Sequence, residues 1–258
     1  EARGRVIDML SSEISARQAG TEGPEDDFLA HLLRSATLPD GTQAPPDAVV
    51  TLLLTFLLAS TFNVTSCLFW LLCFLVDNDD IRQEVIEEQR RVAQAHAGRV
   101  DVAALHAMPL LHACVKETIR LRMGVVGVRA VVRDRVFKDF VFPAGSLLML
   151  STLFSHFDET IFPNPYVFDP HRFDAGREEG KDARFSFIGF GFGIHKCVGE
   201  TFAYNEIKTI VHLLLKRFDL SVSPAGVPEV NKQRIFLGMS HPAVFPSLSL
   251  VRRAEDRY

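Results

Sequence analysis

The chain has 258 residues, enough for one large domain or two small domains with a buried core. Hydrophobic residues make up 47% of it and charged residues 23%, a balance that excludes a largely disordered protein. The net charge is −4 and no long basic run is present, so the sequence disfavours a nucleic-acid-binding protein.

The first 45 residues predict two short amphipathic helices. Apolar residues recur at helical spacing over 1–18, and a stretch with Gly and Pro at 20–24 interrupts that pattern. A second helix is predicted from Phe28 onward, before the turn signal Pro39-Asp40-Gly41. Residues 1–10 lack the apolar core of a signal peptide, so we expect no targeting segment in this chain.

A run without charged residues extends from Val49 to Val76. Its length and apolarity satisfy the criterion for a transmembrane helix. Polar residues nevertheless cluster at its centre, where a bilayer would require partners for them: Ser60, Thr61, Asn63, Thr65 and Ser66. On these residues alone, a membrane span and a long helix inside a large soluble domain are equally open.

Beyond this run, helical and strand-like patterns both occur. Helices are predicted over 79–97, 110–122 and 198–218, and strands over 128–133, 137–142 and 146–150. Residues 161–195 are rich in Pro, Gly and Phe and predict irregular structure, and 219–251 predicts short strands and turns. We therefore expect a single domain over residues 1–258 that is mainly α with small β-sheets.

The most specific stretch is FGFGIHKCVG at 190–199, a glycine-rich loop that leads into a predicted helix. Backbone N–H groups and the positive end of that helix favour the thiolate form of Cys197. Gly191 and Gly193 allow the backbone to approach a bulky partner closely. Such a thiolate suits a soft or redox metal, haem iron included, and an inert helix-capping cysteine is the alternative. The four cysteines contain no CxxC pair, which argues against a zinc ribbon.

This stretch resembles the haem-binding pattern of the cytochrome P450 family, F-[GS]-x-G-x-[RH]-x-C-x-G, at every defined position. The resemblance implies the cytochrome P450 fold and a haem b cofactor with Cys197 as the axial thiolate and metal ligand. The other loop residues at the haem would be Phe190, Gly191, Gly193 and Gly199. Gly189 departs from the proline that often precedes the pattern, and we expect it to loosen the loop.

Two further segments support the resemblance. KETIRLR at 116–122 resembles the family's E-x-x-R helix motif, whose spacing puts Glu117 and Arg120 on one helix face. FDPHRF at 168–173 resembles the segment that supplies a second arginine, here Arg172. The resemblance therefore implies a buried structural triad that locks the loop under the haem.

Within the family, GETFAY at 199–204 is similar to the sterol 14α-demethylases, as is His195. RLRMGVVGVRA at 120–130 is closer to the branch of cholesterol 7α-hydroxylase and prostacyclin synthase. By this resemblance, His195 and Arg129 would bond the haem propionates, and a surface charge is the alternative for each.

The charge-free run then resembles the family's central helix, which makes the transmembrane hypothesis a minor one. Aligning Trp70 with sterol-related members of the family places ASTFN at 59–63 on the segment where the family usually carries a proton-delivering threonine. Asn63 replaces that threonine. An amide can hold a water molecule but has no hydroxyl proton to relay. The resemblance makes Asn63 and Ser60 the candidate catalytic residues. Apolar substrate contacts would come from Phe56, Ala59, Val126 and Phe236, for which core packing is the alternative.

The implied reaction is insertion of one oxygen atom from dioxygen into a sterol, steroid or fatty-acid derivative. Electrons would come from NADPH through a flavoprotein reductase that docks near a basic face formed by Lys196, Lys208, Lys216 and Arg217. Because relatives with asparagine at the position of Asn63 include isomerases, an isomerase or dehydratase of lipid hydroperoxides is an alternative. An inactive truncated fragment is another.

The resemblance covers only about the second half of the family's fold. We therefore expect a partial domain without the N-terminal half, which binds haem poorly by itself. Membrane association is expected only through an N-terminal anchor outside this chain. The resemblance places the full-length protein on the cytosolic face of the endoplasmic reticulum membrane.

Overall fold

The computed structural model describes residues 2–20, 26–124, 126–223, 226–230, 242 and 246–254. Its helices are α1 (Ala2–Gln18), α2 (Phe28–Ser35), α3 (Pro46–Asp77), α4 (Asp79–Ala95), α5 (Val102–His106), α6 (Pro109–Arg122), α7 (Leu153–His156) and α8 (Glu200–Arg217). Its strands are β1 (Val126–Ala130), β2 (Arg135–Phe137), β3 (Phe140–Phe142), β4 (Leu147–Ser151), β5 (Phe218–Ser223) and β6 (Ser247–Arg252). The predicted class, mainly α with small β-sheets, is confirmed.

The chain divides into two compact units, Glu1–Phe62 and Asn63–Tyr258. In the first unit, α1, α2 and the beginning of α3 share a small core of Ile14, Leu32, Ala44, Val49 and Val50. The Asp27 carboxylate caps α2 by accepting the N–H of Ala30 at 2.8 Å, and it also pairs with Arg17 at 2.7 Å. Hydrogen bonds from the Ala30 N–H and from Arg17 lower the pKa of Asp27.

The second unit has the larger core, to which the end of α3 and helices α4, α6 and α8 contribute. Trp70, Leu71 and Leu75 are fully buried on α3, and Leu111 and Val115 are fully buried on α6. Burial of this many large apolar side chains supplies the main favourable free energy of folding for the unit. Helix α6 packs against both α4 and α8, so the E-x-x-R segment lies at the centre of this core.

Helix α3 contains the whole charge-free run and has 32 residues. Among the residues that the structure describes, it is the one helix long and apolar enough to cross a membrane by length and composition, with a mean hydropathy of 1.9. Only 17% of the residues in the 18-residue apolar segment of α3 that gives this value are buried. A core helix of a soluble protein passes the same test, so the test alone does not assign a membrane span.

The strands form three separate antiparallel pairs: β1 with β4, β2 with β3, and β5 with β6. The first pairing aligns Val126 with Ser151 and Arg129 with Leu148. The predicted strands 128–133 and 146–150 lie close to β1 and β4, with boundaries moved by a few residues. The predicted strand 137–142 is wrong, because β2 ends at Phe137, the chain turns, and β3 begins at Phe140. In 161–195, all of which is described, turns and two short 3-10 helices, Pro170–Phe173 and Gly193–His195, replace regular structure.

Candidate functional site

The loop around Cys197 is held by its own backbone hydrogen bonds. The Cys197 N–H donates to the carbonyl of Phe190 at 2.8 Å, and the Gly191 N–H donates to the carbonyl of Ile188 at 2.8 Å. Gly191 and Gly193 have φ of 71° and 66°, in the left-handed region that side chains with a Cβ disfavour. The motif glycines therefore allow the loop to turn back and place Cys197 just before helix α8.

Cys197 differs from the other cysteines in its exposure. Cys67, Cys73 and Cys114 are buried, whereas Cys197 is exposed at the end of the loop. Burial raises the pKa of Cys67 to about 12 and that of Cys73 to about 11, so these thiols stay protonated. A Cβ added to Gly199, directly before α8, would lie 3.8 Å from the Cys197 Sγ. Cys197 is thus the exposed cysteine among the four, and it lies just before a long helix.

The start of the loop is pressed against helix α6. A Cβ at Gly189 would lie 2.3 Å from Cγ2 of Ile119 and 3.1 Å from the ring of Phe187. No side chain fits at such a separation without movement of its neighbours. Gly189 stands where the family pattern often has proline, and it therefore has a packing role against Ile119.

A cavity of about 280 Å³ lies beside the loop. Aromatic side chains and two charged residues line it: Phe185, Phe187, Phe190, Phe192, Lys196 and Glu200. The ammonium of Lys196 pairs with the Glu200 carboxylate at 2.5 Å. The cavity beside the loop is therefore lined largely by aromatic side chains, which suits an apolar ligand.

Glu117, Arg120 and Arg172 are in contact and fully buried. The Glu117 carboxylate accepts two hydrogen bonds from Arg120, both at 2.8 Å, and a third from Nε of Arg172 at 2.9 Å. The Phe162 ring packs against both guanidinium groups. Such a charged group is stable in the interior only because its members neutralise and hydrogen-bond each other.

A fourth charged side chain, Glu179, joins this group. Its carboxylate contacts Nη1 of Arg172 and accepts a hydrogen bond from Arg177 at 2.5 Å. Arg177 also pairs with Asp169 at 2.8 Å. The predicted triad alone would bury one excess positive charge, and Glu179 balances that charge. Sequence reasoning missed Glu179 because a glutamate beside another glutamate in an irregular segment carries no recognisable pattern.

Another buried acid, Glu88 on α4, holds the N-terminus of α6. Its carboxylate accepts the N–H groups of Leu110 and Leu111 at 2.7 and 2.9 Å. These N–H groups have no intrahelical acceptor, so Glu88 caps the helix that carries Glu117 and Arg120. Burial raises the pKa of Glu88, and the two backbone hydrogen bonds oppose that shift.

Comparison with known proteins assigns the family. The sequence profile of cytochrome P450 matches residues 1–245. The chain belongs to the cytochrome P450 family. It is 33% identical over 249 residues to an obtusifoliol 14-alpha demethylase of Triticum aestivum, and the alignment covers 93% of this chain and 54% of that protein. It is also 32% identical over 248 residues to a sterol 14-demethylase of Arabidopsis thaliana, and that alignment covers 92% of this chain and 50% of that protein.

A solved P450 structure matches the fold. Retinoic acid bound cyanobacterial CYP120A1 superimposes with a TM-score of 0.80 at 27% sequence identity, covering 97% of this chain and 56% of that one. The chain thus spans about half the length of the curated relatives it matches. The predicted resemblance to the P450 family is confirmed.

Membership of the P450 family implies haem held by a cysteine thiolate. The residues present fit that group, because one cysteine is exposed on a glycine-rich loop beside an aromatic cavity and the other three are buried. Ligation of haem iron by a thiolate needs an accessible cysteine, and the loop provides one.

The remaining predicted site residues of this P450 chain lie as follows. Arg129 is exposed on β1 and donates to the carbonyl of Val128 at 2.8 Å, and His195 is exposed in the 3-10 turn before Cys197. Val126 is half-buried on β1. Phe236 lies outside the described residues.

The predicted central-helix residues all lie on α3. Three of them belong to the first unit: Phe56 is half-buried and packs edge-to-face on Phe28 at 5.4 Å, Ala59 is exposed, and Ser60 donates to the Leu57 carbonyl at 3.1 Å. Asn63 is the first residue of the second unit and is exposed.

One expectation about the basic face is wrong. Lys208 is buried, and its ammonium donates to the carbonyl of Leu105 at 2.6 Å. Burial lowers the pKa of Lys208. The reason is that α8 packs against α5 on this side, so Lys208 satisfies a helix-end carbonyl and cannot meet a docking partner.

Proposed function

We propose that this protein is a haem-thiolate monooxygenase that oxidises a lipophilic substrate of the sterol class. The observation that carries the proposal is the exposed Cys197 on a glycine-rich loop whose start lies against α6, the helix that carries Glu117 and Arg120 of the buried ion cluster. Family membership and the similarity to plant sterol demethylases support both the chemistry and the substrate class. Because the chain spans about half the length of those relatives, the activity is proposed for the whole protein.

The bound haem would supply the redox chemistry by which dioxygen is activated for insertion into a C–H bond. Cys197 would hold the iron through its Sγ. Gly191 and Gly193 would let the loop backbone lie close under the ring, and Phe190 would pack on it. His195 and Arg129 would neutralise the carboxylates of the cofactor.

By the family resemblance, α3 would supply the polar groups for oxygen chemistry. Asn63 would hold a water molecule through its amide, and Ser60 would supply a hydroxyl that can donate a proton. By the same resemblance, the apolar contacts that a sterol, steroid or fatty-acid derivative requires would come from Phe56, Ala59, Val126 and Phe236. Electrons would come from NADPH through a flavoprotein reductase, on the cytosolic face of the endoplasmic reticulum membrane.

The absorbance spectrum of the whole protein, reduced with dithionite and bound to carbon monoxide, tests this function. We expect a thiolate-type Soret band in the wild type, its loss in Cys197→Ser, and its retention in Cys73→Ser. The control removes a buried thiol and leaves the proposed ligand in place. A wild-type protein without that band, or a Cys197→Ser variant that keeps it, would contradict the proposal.

Asn63 favours a second candidate function, an isomerase or dehydratase acting on a lipid hydroperoxide. Such a reaction rearranges oxygen already present in the substrate, so it does not require a hydroxyl relay from α3. The discriminating assay supplies a lipid hydroperoxide without reductase or NADPH. Turnover under those conditions selects the isomerase, and turnover of a sterol that depends on NADPH selects the monooxygenase.

A further inference from the structure

His156, at the end of α7, contacts both the buried ion cluster and the segment that leads to the cysteine loop. Its backbone carbonyl accepts a hydrogen bond from Nη1 of Arg120 at 2.6 Å. Its ring Nε2 accepts the N–H of Ile188 at 3.2 Å, and the ring stacks on Phe187 at 5.3 Å with an interplanar angle of 13°. One residue thus joins two parts of the chain that are far apart in sequence.

The ring of His156 must be neutral to make this contact. Nε2 can accept the Ile188 N–H only when it carries no proton, so the ring proton lies on Nδ1. The side chain is fully buried, and burial lowers the pKa of His156 to about 4. The ring therefore remains an acceptor throughout the physiological pH range.

From Ile188 the hydrogen bonds continue to Cys197. The Ile188 carbonyl accepts the N–H of Gly191, and the Phe190 carbonyl accepts the N–H of Cys197, both at 2.8 Å. Between them, Gly189 lies against Ile119 on α6, so the backbone has little room to shift. Displacement of the Ile188 amide would therefore move the whole turn that carries Cys197.

We propose that His156 is a positioning residue that fixes the cysteine loop on the buried ion cluster by holding the Ile188 N–H. Arg120 orients the His156 backbone, and the ring in turn holds the first backbone donor of the loop. The ion cluster thereby helps to fix the position of Cys197 through the contacts of His156, in addition to its own packing in the core. The consequence for metal ligation rests on the proposed haem-thiolate function, whereas the backbone contact does not.

A substitution pair separates the hydrogen bond from packing. His156→Phe keeps a ring that can stack on Phe187 but removes the acceptor, and His156→Gln supplies a side-chain oxygen that can accept the Ile188 N–H. His212→Phe is the matched control, because His212 is also buried and burial also lowers its pKa to about 4, but it lies on α8.

Amide hydrogen exchange of the segment 186–190 in the purified protein is the first readout. We expect exchange about fivefold faster in His156→Phe, the factor for loss of one typical hydrogen bond, with wild-type exchange in His156→Gln and His212→Phe. Unchanged exchange in His156→Phe would overturn the proposal. So would a Gln variant as fast as the Phe variant, or equal acceleration by His212→Phe.

Two measurements cover the remaining outcomes. The 15N spectrum of the wild-type histidine rings should show His156 protonated on Nδ1 alone, and a proton on Nε2 would refute the proposed contact even if the Phe variant does not fold. In the reduced carbon-monoxide-bound protein, the thiolate-type band should decay faster in His156→Phe than in His156→Gln, and equal decay would contradict the link to Cys197. Absence of that band in the wild type would overturn the haem-thiolate function, while the exchange data still decide the role of His156.

Discussion

Substitution of Glu179 by glutamine removes one negative charge from the buried cluster while keeping the shape of the side chain. Glu117, Arg120 and Arg172 together carry one excess positive charge, and Glu179 neutralises it through contact with Arg172. The Glu179 side chain is 12% exposed and that of Arg172 is 1% exposed, so water screens the pair weakly. The variant therefore leaves a buried arginine without its second counter-charge.

The expected loss of stability follows from these contacts. Two unit charges about 4 Å apart at an effective dielectric constant of about 20 attract by about 4 kcal/mol. Arg172 keeps its hydrogen bonds to the carbonyls of Pro163 and Val167, which reduces the net loss. We therefore expect the free energy of unfolding to fall by about 2 to 3 kcal/mol, at or below the low end of the range of about 3 to 5 kcal/mol for broken buried pairs.

Urea unfolding at neutral pH, followed by circular dichroism, measures this loss. The matched control is Glu178→Gln, because the neighbouring Glu178 side chain is 45% exposed and pairs only at the surface with Lys181. We expect the control to change stability by less than about 0.5 kcal/mol. Equal effects of the two variants would refute the reasoning that Glu179 balances the buried charge.

Two further variants and one pH series test the packing and the buried histidines. Gly189→Ala should lower the free energy of unfolding by at least about 2 kcal/mol, because the new Cβ would lie 2.3 Å from Ile119. In the control Gly193→Ala the new Cβ has open space, so we expect a loss of only about 1 kcal/mol from the positive φ. Similar losses for the two variants in urea titrations would contradict the contact between Gly189 and Ile119. Burial lowers the pKa of His156 and His212 from 6.5 to about 4, so the unfolded chain binds more protons than the folded protein between these values. Stability should be full above about pH 7 and fall as the pH drops towards 4, by about 3 kcal/mol for each ring. His156→Phe should make the measured slope shallower by one proton, and an unchanged slope would show that the ring is not buried in its neutral form.

The sequence was sufficient for the family, the fold class and the principal motifs. The pattern at 190–199 has defined residue types at fixed short spacing, and the three-residue spacing of Glu117 and Arg120 places them on one helix face whatever the rest of the fold does. The structure shows both features together with Arg172, which a second short segment indicated. Short-range spacing transfers directly into local geometry, so these features needed no tertiary information.

Other parts of the site depend on which distant segments pack together. His156 joins Arg120, 36 residues before it, to Ile188, 32 residues after it, and no local pattern marks that link. Glu179 and Lys208 likewise occur in stretches where a charged residue is ordinarily solvated. Their roles follow from burial, which forces each to find a partner.

The amino-acid sequence by itself therefore determined the chemistry that the chain offers: a cysteine in a glycine-rich loop and the ion pair of α6. Only the tertiary structure decided how that chemistry is held, through Glu88 at the start of α6, Glu179 at Arg172, and His156 at the loop. The physical reason is that motif residues are recognised by spacing along the chain, whereas buried polar groups are selected by partners brought together in folding.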